Sequence, residues 1–184
     1  MNSPQSLEAW MRGPVPSVPA LLQPAAHALL QSKEEINELM KDFDESLLWK
    51  HPANVASVGF HLQHIVGVQD RLFTYANGGM LSVQQLQYLK TEGVENEAIS
   101  VRSLLENLNA QTERSINQLS ETDVNTLTET RGVGRKQIPS TVLGLLFHTA
   151  EHTMRHTGQL LVTVKILTSP QPLSREEGQN PHSH

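Results

Sequence analysis

Residues 147–160 read FHTAEHTMRHTGQL and carry three histidines at a spacing of four, His148, His152 and His156. They belong to a segment, from about residue 140 to 167, that contains no proline and has the apolar rhythm of a helix. Residues four apart on a helix lie one turn apart on the same side, so the histidines form a column. Two imidazoles placed in this way can hold one metal ion, as they do on a zincin helix.

A metal site of this kind needs a further ligand, because catalytic sites usually combine three protein ligands with an open position. The best donor is the segment 60–65, FHLQHI, which holds the other closely spaced internal pair, His61 and His64. One helical pair is a weak signal, since histidines are often solvated or hydrogen-bonded. Here seven of the nine histidines precede the C-terminal tail, and five of those seven lie in two short segments, which favours a metal site.

Composition narrows the classes of function. The 184 residues include no cysteine, which excludes disulfides, thiolate ligands and a cysteine nucleophile. The formal net charge of -5 and the lack of a long basic run argue against a nucleic-acid partner. No apolar stretch reaches the roughly 18 residues of a membrane span, and the N-terminus lacks the pattern of a signal peptide. We therefore expect a cytoplasmic protein without a membrane partner.

The apolar periodicity predicts an all-α protein built as a four-helix bundle. Its long helices are expected at residues 20–46, 54–76, 95–119 and 140–167. The connection between the second and third helices is longer than antiparallel neighbours need, and it would let these two helices run parallel. A short extra helix is expected within it at residues 81–89, with Ser82 as its cap.

Proline and polar residues set the limits of the predicted domain. Residues 1–19 contain prolines that forbid a continuous helix, so we expect an N-terminal arm there. In this arm, Trp10 and Met11 dock on the body or on a second subunit, or the arm is loosely held. The bundle is expected to span residues 20–168, and the polar residues 169–184 to form a disordered tail.

Residues 120–139 lack a helical rhythm, and residues 123–130 within them are compatible with a short strand. Residues 131–136, RGVGRK, invite a phosphate-binding interpretation. They lack the Walker spacing, however, and they are not a dinucleotide fingerprint, so a hairpin turn is the better interpretation. The loop could still present positive charge to an anionic substrate at the mouth of the site.

Three pieces of the sequence together resemble the DinB-like superfamily, whose members are bundles of four helices that bind a divalent metal through three histidines. The pieces are residues 59–65, GFHLQHI, the pair Arg71-Leu72, and residues 151–159, EHTMRHTGQ. The last piece is the most specific of the three. The resemblance covers roughly residues 20–167.

By this resemblance the metal ligands are His64, His152 and His156. Many members of the family have arginine where Thr157 stands, so this chain departs from the commonest pattern without touching a ligand. His148 is then an extra histidine, which either supports a ligand or is merely packed.

The resemblance also implies a range of functions. Some members are S-transferases or isomerases that use low-molecular-weight thiols, and others are described as metal-dependent hydrolases. The implied cofactors are a divalent metal (Zn, Ni or Fe) and a low-molecular-weight thiol. Dimers are common in the family, so a homodimer acting on a small-molecule substrate is expected.

Three neutral imidazoles would leave a divalent ion with open positions, where it could lower the pKa of water to near 7 or keep a thiolate nucleophilic. His61 or His148 could act as a catalytic proton shuttle or orient a ligand, and a structural role is the alternative for each. Glu151 is next to His152 but points about 100° away on the helix, unlike a zincin glutamate. Transfer to a metal-activated thiol is therefore more compelling than hydrolysis.

Two other functions stay open on the sequence. A non-catalytic stress-response module that binds metal or a small ligand would have a closed site, with His61 or His148 as the fourth ligand. A helical interaction protein would have histidines packed by chance and would retain no metal. The metal content and the number of ligands distinguish the three interpretations.

Overall fold

The computed structural model describes residues 7–169, which form five α-helices and one two-stranded antiparallel sheet. The elements are α1 (Gln23–Leu39), α2 (Val58–Ala76), α3 (Val83–Thr91), α4 (Val101–Glu121), β1 (Thr130–Val133), β2 (Ile138–Thr141) and α5 (Val142–Thr168). The all-α prediction is confirmed for the helical content, with a small sheet in addition. Within residues 7–169, no helix has both the length and the apolar content that crossing a membrane requires.

Side-chain caps determine where four of the helices begin. Ser57, Ser82, Ser100 and Thr141 each accept a hydrogen bond from the backbone N–H three residues later. Each cap satisfies a backbone donor that the first turn of a helix leaves free. Ser82 and Gln85 form a reciprocal capping box, which confirms the short helix expected in the long connection.

The first long helix is shorter than predicted. Residues Ala20–Leu22 form a 3-10 turn before it, and α1 ends at Leu39 rather than at residue 46. Near the predicted end lies a separate 3-10 turn, Glu45–Leu47, in which the N–H of Ser46 donates to the Asp44 side chain. The Asp44 cap thus interrupts the segment that apolar periodicity alone predicts to be one helix.

The second and third long helices begin later than predicted. Ala53 and Asn54 have positive φ angles of 49° and 61°, which a continuous helix does not allow, so α2 starts only after the Ser57 cap. The third long helix, α4, starts at Val101 rather than at residue 95. Both errors lie at the starts of helices, where capping and not periodicity decides.

A hairpin of β1 and β2 joins α4 to α5, which confirms the turn expected at residues 131–136. Gly134 has a φ of 67° in this turn, a conformation that glycine adopts without strain. The strand expected at residues 123–130 is wrong over most of its length. Asp123 caps a 3-10 turn, Val124–Thr126, and β1 begins only at Thr130.

The four long helices surround the core. Both α1 and α2 pack against α4 and against α5. Buried apolar side chains form two clusters, one containing Leu29, Phe73 and Leu146 and the other containing Leu62 and Leu160. Burying one such side chain contributes about 1.5–3 kcal/mol. The packing of α2 on α5 is what positions the histidines.

One buried polar pair fixes how α5 is placed on α1. The hydroxyl of Thr157 donates to the backbone carbonyl of Thr153 at 2.9 Å. The hydroxyl of Ser32 lies 2.6 Å from the hydroxyl of Thr157 and donates to it. Ser32 is fully buried and Thr157 is 3% exposed. A long charged side chain has no access to solvent at position 157, so the threonine fits this packing.

The N-terminal arm contacts the body over the part that the structure describes. Ala9 is buried and its N–H donates to the Gln31 side chain at 2.8 Å. Arg12 forms two hydrogen bonds with Glu34, of 2.6 and 2.5 Å. Trp10 is 61% exposed, so its docking on a second subunit stays a prediction. The predicted tail lies outside the described residues beyond Ser169.

We expect Thr157→Val to destabilise the protein by about 1–3 kcal/mol, because it leaves the buried Ser32 hydroxyl without a partner. Urea unfolding followed by circular dichroism measures the change. In the double variant with Ser32→Ala, both hydroxyls are absent and the loss should be smaller than the sum of the two single losses. Strictly additive losses would contradict the assignment of this pair.

Candidate metal centre

Three histidines from two helices converge between α2 and α5. His64 lies on α2, and His152 and His156 lie one turn apart on α5. One ring nitrogen of each lies within 4.8 Å of the other two. Their ring centroids are 4.5 to 5.2 Å apart. The structure thus brings together the three residues expected to be ligands, which we call the triad.

Local packing orients the first member of the triad. The Phe60 ring lies four residues before His64 on α2 and stacks on its imidazole, with centroids 5.0 Å apart and planes 13° apart. On the other side, α5 is a continuous helix from its Thr141 cap to Thr168. The spacing of four therefore holds His152 above His156 without a bend between them.

The nitrogens of the triad face each other at short distance. Nε2 of His64 lies 3.0 Å from Nε2 of His152. Nδ1 of His64 lies 2.7 Å from Oε2 of Glu92. Because a carboxylate can only accept, Nδ1 of His64 carries the hydrogen and Nε2 presents its lone pair to the triad. A carboxylate bonded in this way to a ligating histidine is a common support of metal sites.

Glu92 is a site residue that the sequence did not single out. It follows α3 directly, and its carboxylate is buried, with 4% of its side chain exposed. Its other oxygen pairs with Arg71 of α2, the arginine of the family resemblance. Glu95 and Glu97 lie in the same polar connection, and no periodicity there distinguishes Glu92 from them. The conspicuous signal was Arg71, a buried cation that needs a partner.

His61 supports His156 from behind. Nδ1 of His61 lies 3.0 Å from Nδ1 of His156, and both residues are buried. One of these two nitrogens donates to the other. Nε2 is the ring nitrogen of His156 that this contact does not use. His61 is not a member of the triad, so among the described residues it does not supply a fourth ligand.

His148 lies on the solvent side of His152. Its side chain is 50% exposed, and its Nδ1 lies 3.4 Å from Oε2 of Glu151. The other oxygen of Glu151 accepts hydrogen bonds from Arg155. Neither His148 nor Glu151 belongs to the triad, in agreement with the expected direction of Glu151 along the helix.

Burial keeps three imidazoles of the site, His61, His152 and His156, in the neutral form. It lowers the pKa of His61 and His152 to about 4 and that of His156 to about 3, and the neighbouring His64 adds to each shift. Desolvation acts in this direction because it disfavours the charged form of an imidazole. At neutral pH these three imidazoles are therefore uncharged, as metal ligation requires. Hydrogen bonding to Arg155 lowers the pKa of Glu151.

The residues present fit a divalent metal. Nδ1 of His152 is buried and has no hydrogen-bond partner, so hydrogen bonding alone leaves this imidazole unsatisfied. The 3.0 Å between the facing nitrogens of His64 and His152 is close to the roughly 3.3 Å between neighbouring ligands of tetrahedral zinc, whose Zn–N bonds are about 2.0–2.1 Å. Neutral nitrogen donors suit Zn, Ni or Fe.

The remaining candidates lie away from the triad. His27 contacts the carbonyl of Gly13 in the arm, and His51 contacts that of Val55. Arg131 donates to the carbonyl of Ala76, at the far end of α2 and about 18 Å along the helix from His64. The expectation that this loop places positive charge at the mouth of the site is therefore wrong for Arg131.

A cleft of about 520 Å³ opens beside the triad. His61 forms part of its wall, together with apolar side chains that include Val55, Val162 and Ile166. Arg155 also lines it. His61 lines the cleft, and its Nδ1 lies 3.0 Å from Nδ1 of His156. It therefore links the cleft to a member of the triad.

Comparisons with known proteins agree with this arrangement. The sequence model of one family, described as the DinB superfamily, matches residues 28–160. The fold is similar to that of a protein from Enterococcus faecalis, whose structure is titled the conserved protein of locus, with a TM-score of 0.63 and 16% identity. That match covers 78% of this chain and 95% of the other. No curated protein matches this sequence.

We expect Glu92→Gln to weaken metal binding about 10- to 100-fold, because the neutral amide no longer fixes the proton of His64. Competition with a chelator of known affinity measures the dissociation constant. Glu95→Gln is the matched control, since Glu95 is exposed on the same connection. Equal affinities of wild type and Glu92→Gln would contradict the role given to this carboxylate.

The metal-free protein should lose stability as the pH falls from about 6.5 towards 4. Over this window unfolded histidines take up protons, while His61, His152 and His156 in the folded state do not, because their pKa values are about 4, 4 and 3. Urea unfolding at pH 7.5, 6 and 5 in a chelator measures the loss. His61→Phe removes one of these groups and should reduce the pH dependence. An unchanged dependence in that variant would argue against the depressed pKa.

Proposed function

This chain belongs to the DinB superfamily, and from that premise we propose that it is a metal-dependent enzyme whose ligands are His64, His152 and His156. The observation that carries the proposal is the convergence of one nitrogen from each of the three within 4.8 Å. The Glu92 carboxylate behind His64 supports it, because a histidine oriented in this way presents a defined lone pair.

We extend the proposal to the scaffold, a four-helix bundle of α1, α2, α4 and α5 with a long connection between α2 and α4. The pairwise packing of these helices supports a bundle. The connection has a role in it, since it carries Glu92 to His64. In a bundle with a short turn at this place, the carboxylate would have to come from another element.

The reaction that fits best is transfer to a low-molecular-weight thiol. When bound, a divalent ion supplies Lewis acidity that lowers the pKa of a coordinated water or thiol. Hydrolysis would profit from a free carboxylate base, but Glu92 is held between Arg71 and His64, and Glu151 is held by Arg155. His61 lines the cleft and contacts His156, so we assign it the role of moving a proton between substrate and site.

The substrate we propose is a small molecule bound in the cleft beside His61. Its wall is mostly apolar, which suits an organic molecule. We further propose that the protein acts in the cytoplasm as a homodimer. Exposed apolar side chains along α5, such as Phe147 at 64% and Leu161 at 44%, are compatible with a subunit interface.

A non-catalytic metal-binding module is the alternative, and it would need a closed site. Neither histidine that could close it is suitably placed among the described residues. His61 lies behind His156, and His148 lies beside Glu151 on the solvent side. The arrangement of three ligands therefore favours the enzyme.

Elemental analysis of protein purified without a metal-affinity column tests the proposal. The full chain would carry His182→Ala and His184→Ala, so that the tail histidines cannot hold metal. We expect about one ion per chain, and its loss in His64→Ala, His152→Ala or His156→Ala, because two ligands hold a divalent ion far less well than three. His27→Gln is the control, and circular dichroism checks that each variant stays helical.

Activity is tested on the same proteins loaded with Zn, Ni or Fe. Glutathione with chlorodinitrobenzene reports thiol transfer, and nitrophenyl acetate reports hydrolysis. Thiol transfer that needs the triad supports the proposal, and hydrolysis alone would reassign the reaction. If no ion is bound, or if an ion is indifferent to the triad, the metalloenzyme proposal fails.

A further inference from the structure

A second group of metal-ligating side chains lies beside the triad. His148, Glu151 and His152 each offer one ligand atom within 4.8 Å of the other two. We call these three residues the outer group. They lie on a single helix at spacings of three and four, and they share His152 with the triad. An ion held by the outer group would therefore already contact one of the ligands of the inner site.

The two groups differ in their access to solvent. The side chain of His148 is 50% exposed and that of Glu151 is 34% exposed. In the triad, the His64 side chain is 18% exposed and His156 is buried. The outer group is thus the more accessible of the two groups to a hydrated cation.

The charges in and around the outer group allow a cation to bind there weakly. Oε1 of Glu151 accepts from Arg155, which holds the carboxylate in place, and Oε2 lies 3.4 Å from Nδ1 of His148. The oxygen nearer to His148 is thus not one that Arg155 binds. Arg155 also brings a positive charge next to the group. The outer group would therefore hold an ion weakly, which suits a transient stop and not a permanent site.

We propose that the outer group is a loading position, where a divalent cation is captured from solvent before it moves into the triad. This inference rests on the proposed metal site. In the transfer, His152 stays bound to the ion, the bonds from His148 and Glu151 break, and bonds from His64 and His156 form. No electrons are transferred, and Nε2 of His64 already presents its lone pair because Nδ1 of His64 donates to Glu92.

A loading position has a kinetic signature that a final ligand does not have. It lowers the barrier between solvent and site without changing the free energy of either end. Removing it should therefore slow binding and release by the same factor, while affinity and stoichiometry stay constant. If His148 and Glu151 only stabilise α5, their replacement would change neither rate.

The test uses the full chain with His182→Ala and His184→Ala, stripped of metal and mixed rapidly with Zn²⁺ in a fluorescent indicator. We expect His148→Ala to slow zinc uptake about tenfold, which corresponds to about 1.4 kcal/mol in the barrier. Removal of zinc by excess chelator should slow by the same factor. Glu151→Gln should slow both steps to a smaller extent, since it keeps the shape and loses the charge. His27→Gln is the matched control and should match wild type.

Each other outcome overturns the loading position. Rates like those of wild type in His148→Ala would leave the outer group without this role. A weaker affinity or a lost ion in that variant would make His148 a ligand or support of the final site. A second zinc per chain in wild type would make the outer group a separate site. If wild type binds no zinc, the proposed function fails as well, and elemental analysis distinguishes that case.

Discussion

Imidazoles that are buried side by side compete for protons, and a site built from them works only if an outside group decides which nitrogen carries each one. Here the deciding contact is the hydrogen bond from His64 to Glu92, at 2.7 Å. It turns the free nitrogen of His64 towards His152, and His61 engages His156 in a similar way. The direction of the His64 lone pair thus follows from a contact that lies outside the triad.

Burying the Glu92 carboxylate beside His64 costs free energy. Glu92 and Arg71 form an ion pair whose side chains are only 4% and 10% exposed, and desolvation of such a pair can exceed its Coulomb attraction. The pair is therefore better understood as a positioning device than as a source of stability. Gly67 makes it possible, because a Cβ at this position would overlap with both the carboxylate and the guanidinium. A glycine inside a helix lowers stability by about 1 kcal/mol, which adds to the desolvation cost of the ion pair.

Periodicity and spacing carried most of the prediction. They located α5 and its histidine column, because both depend only on residues close together in the sequence. The choice of His64 over His61 needed the family resemblance, since both lie on faces that a helical wheel allows. Glu92 could not be predicted, because its role arises from the way the chain folds back and not from any local pattern. The starts of α2 at Val58 and of α4 at Val101 were missed because a single cap or a positive φ outweighs an apolar pattern.

The short helix α3 has no fully buried residue, although its partly buried Tyr88 packs against the core. It is attached along its length, where Gln85 donates to Thr74 and the Tyr88 hydroxyl donates to the carbonyl of Gln63, and at its end, where Glu92 meets His64 and Arg71. The attachment and the metal ligand therefore share one hydrogen bond. Because linkage is reciprocal, a filled site would tighten the docking of α3, and anything that lifts α3 from the body would loosen the ion. A surface helix would in this way influence the occupancy of the metal centre.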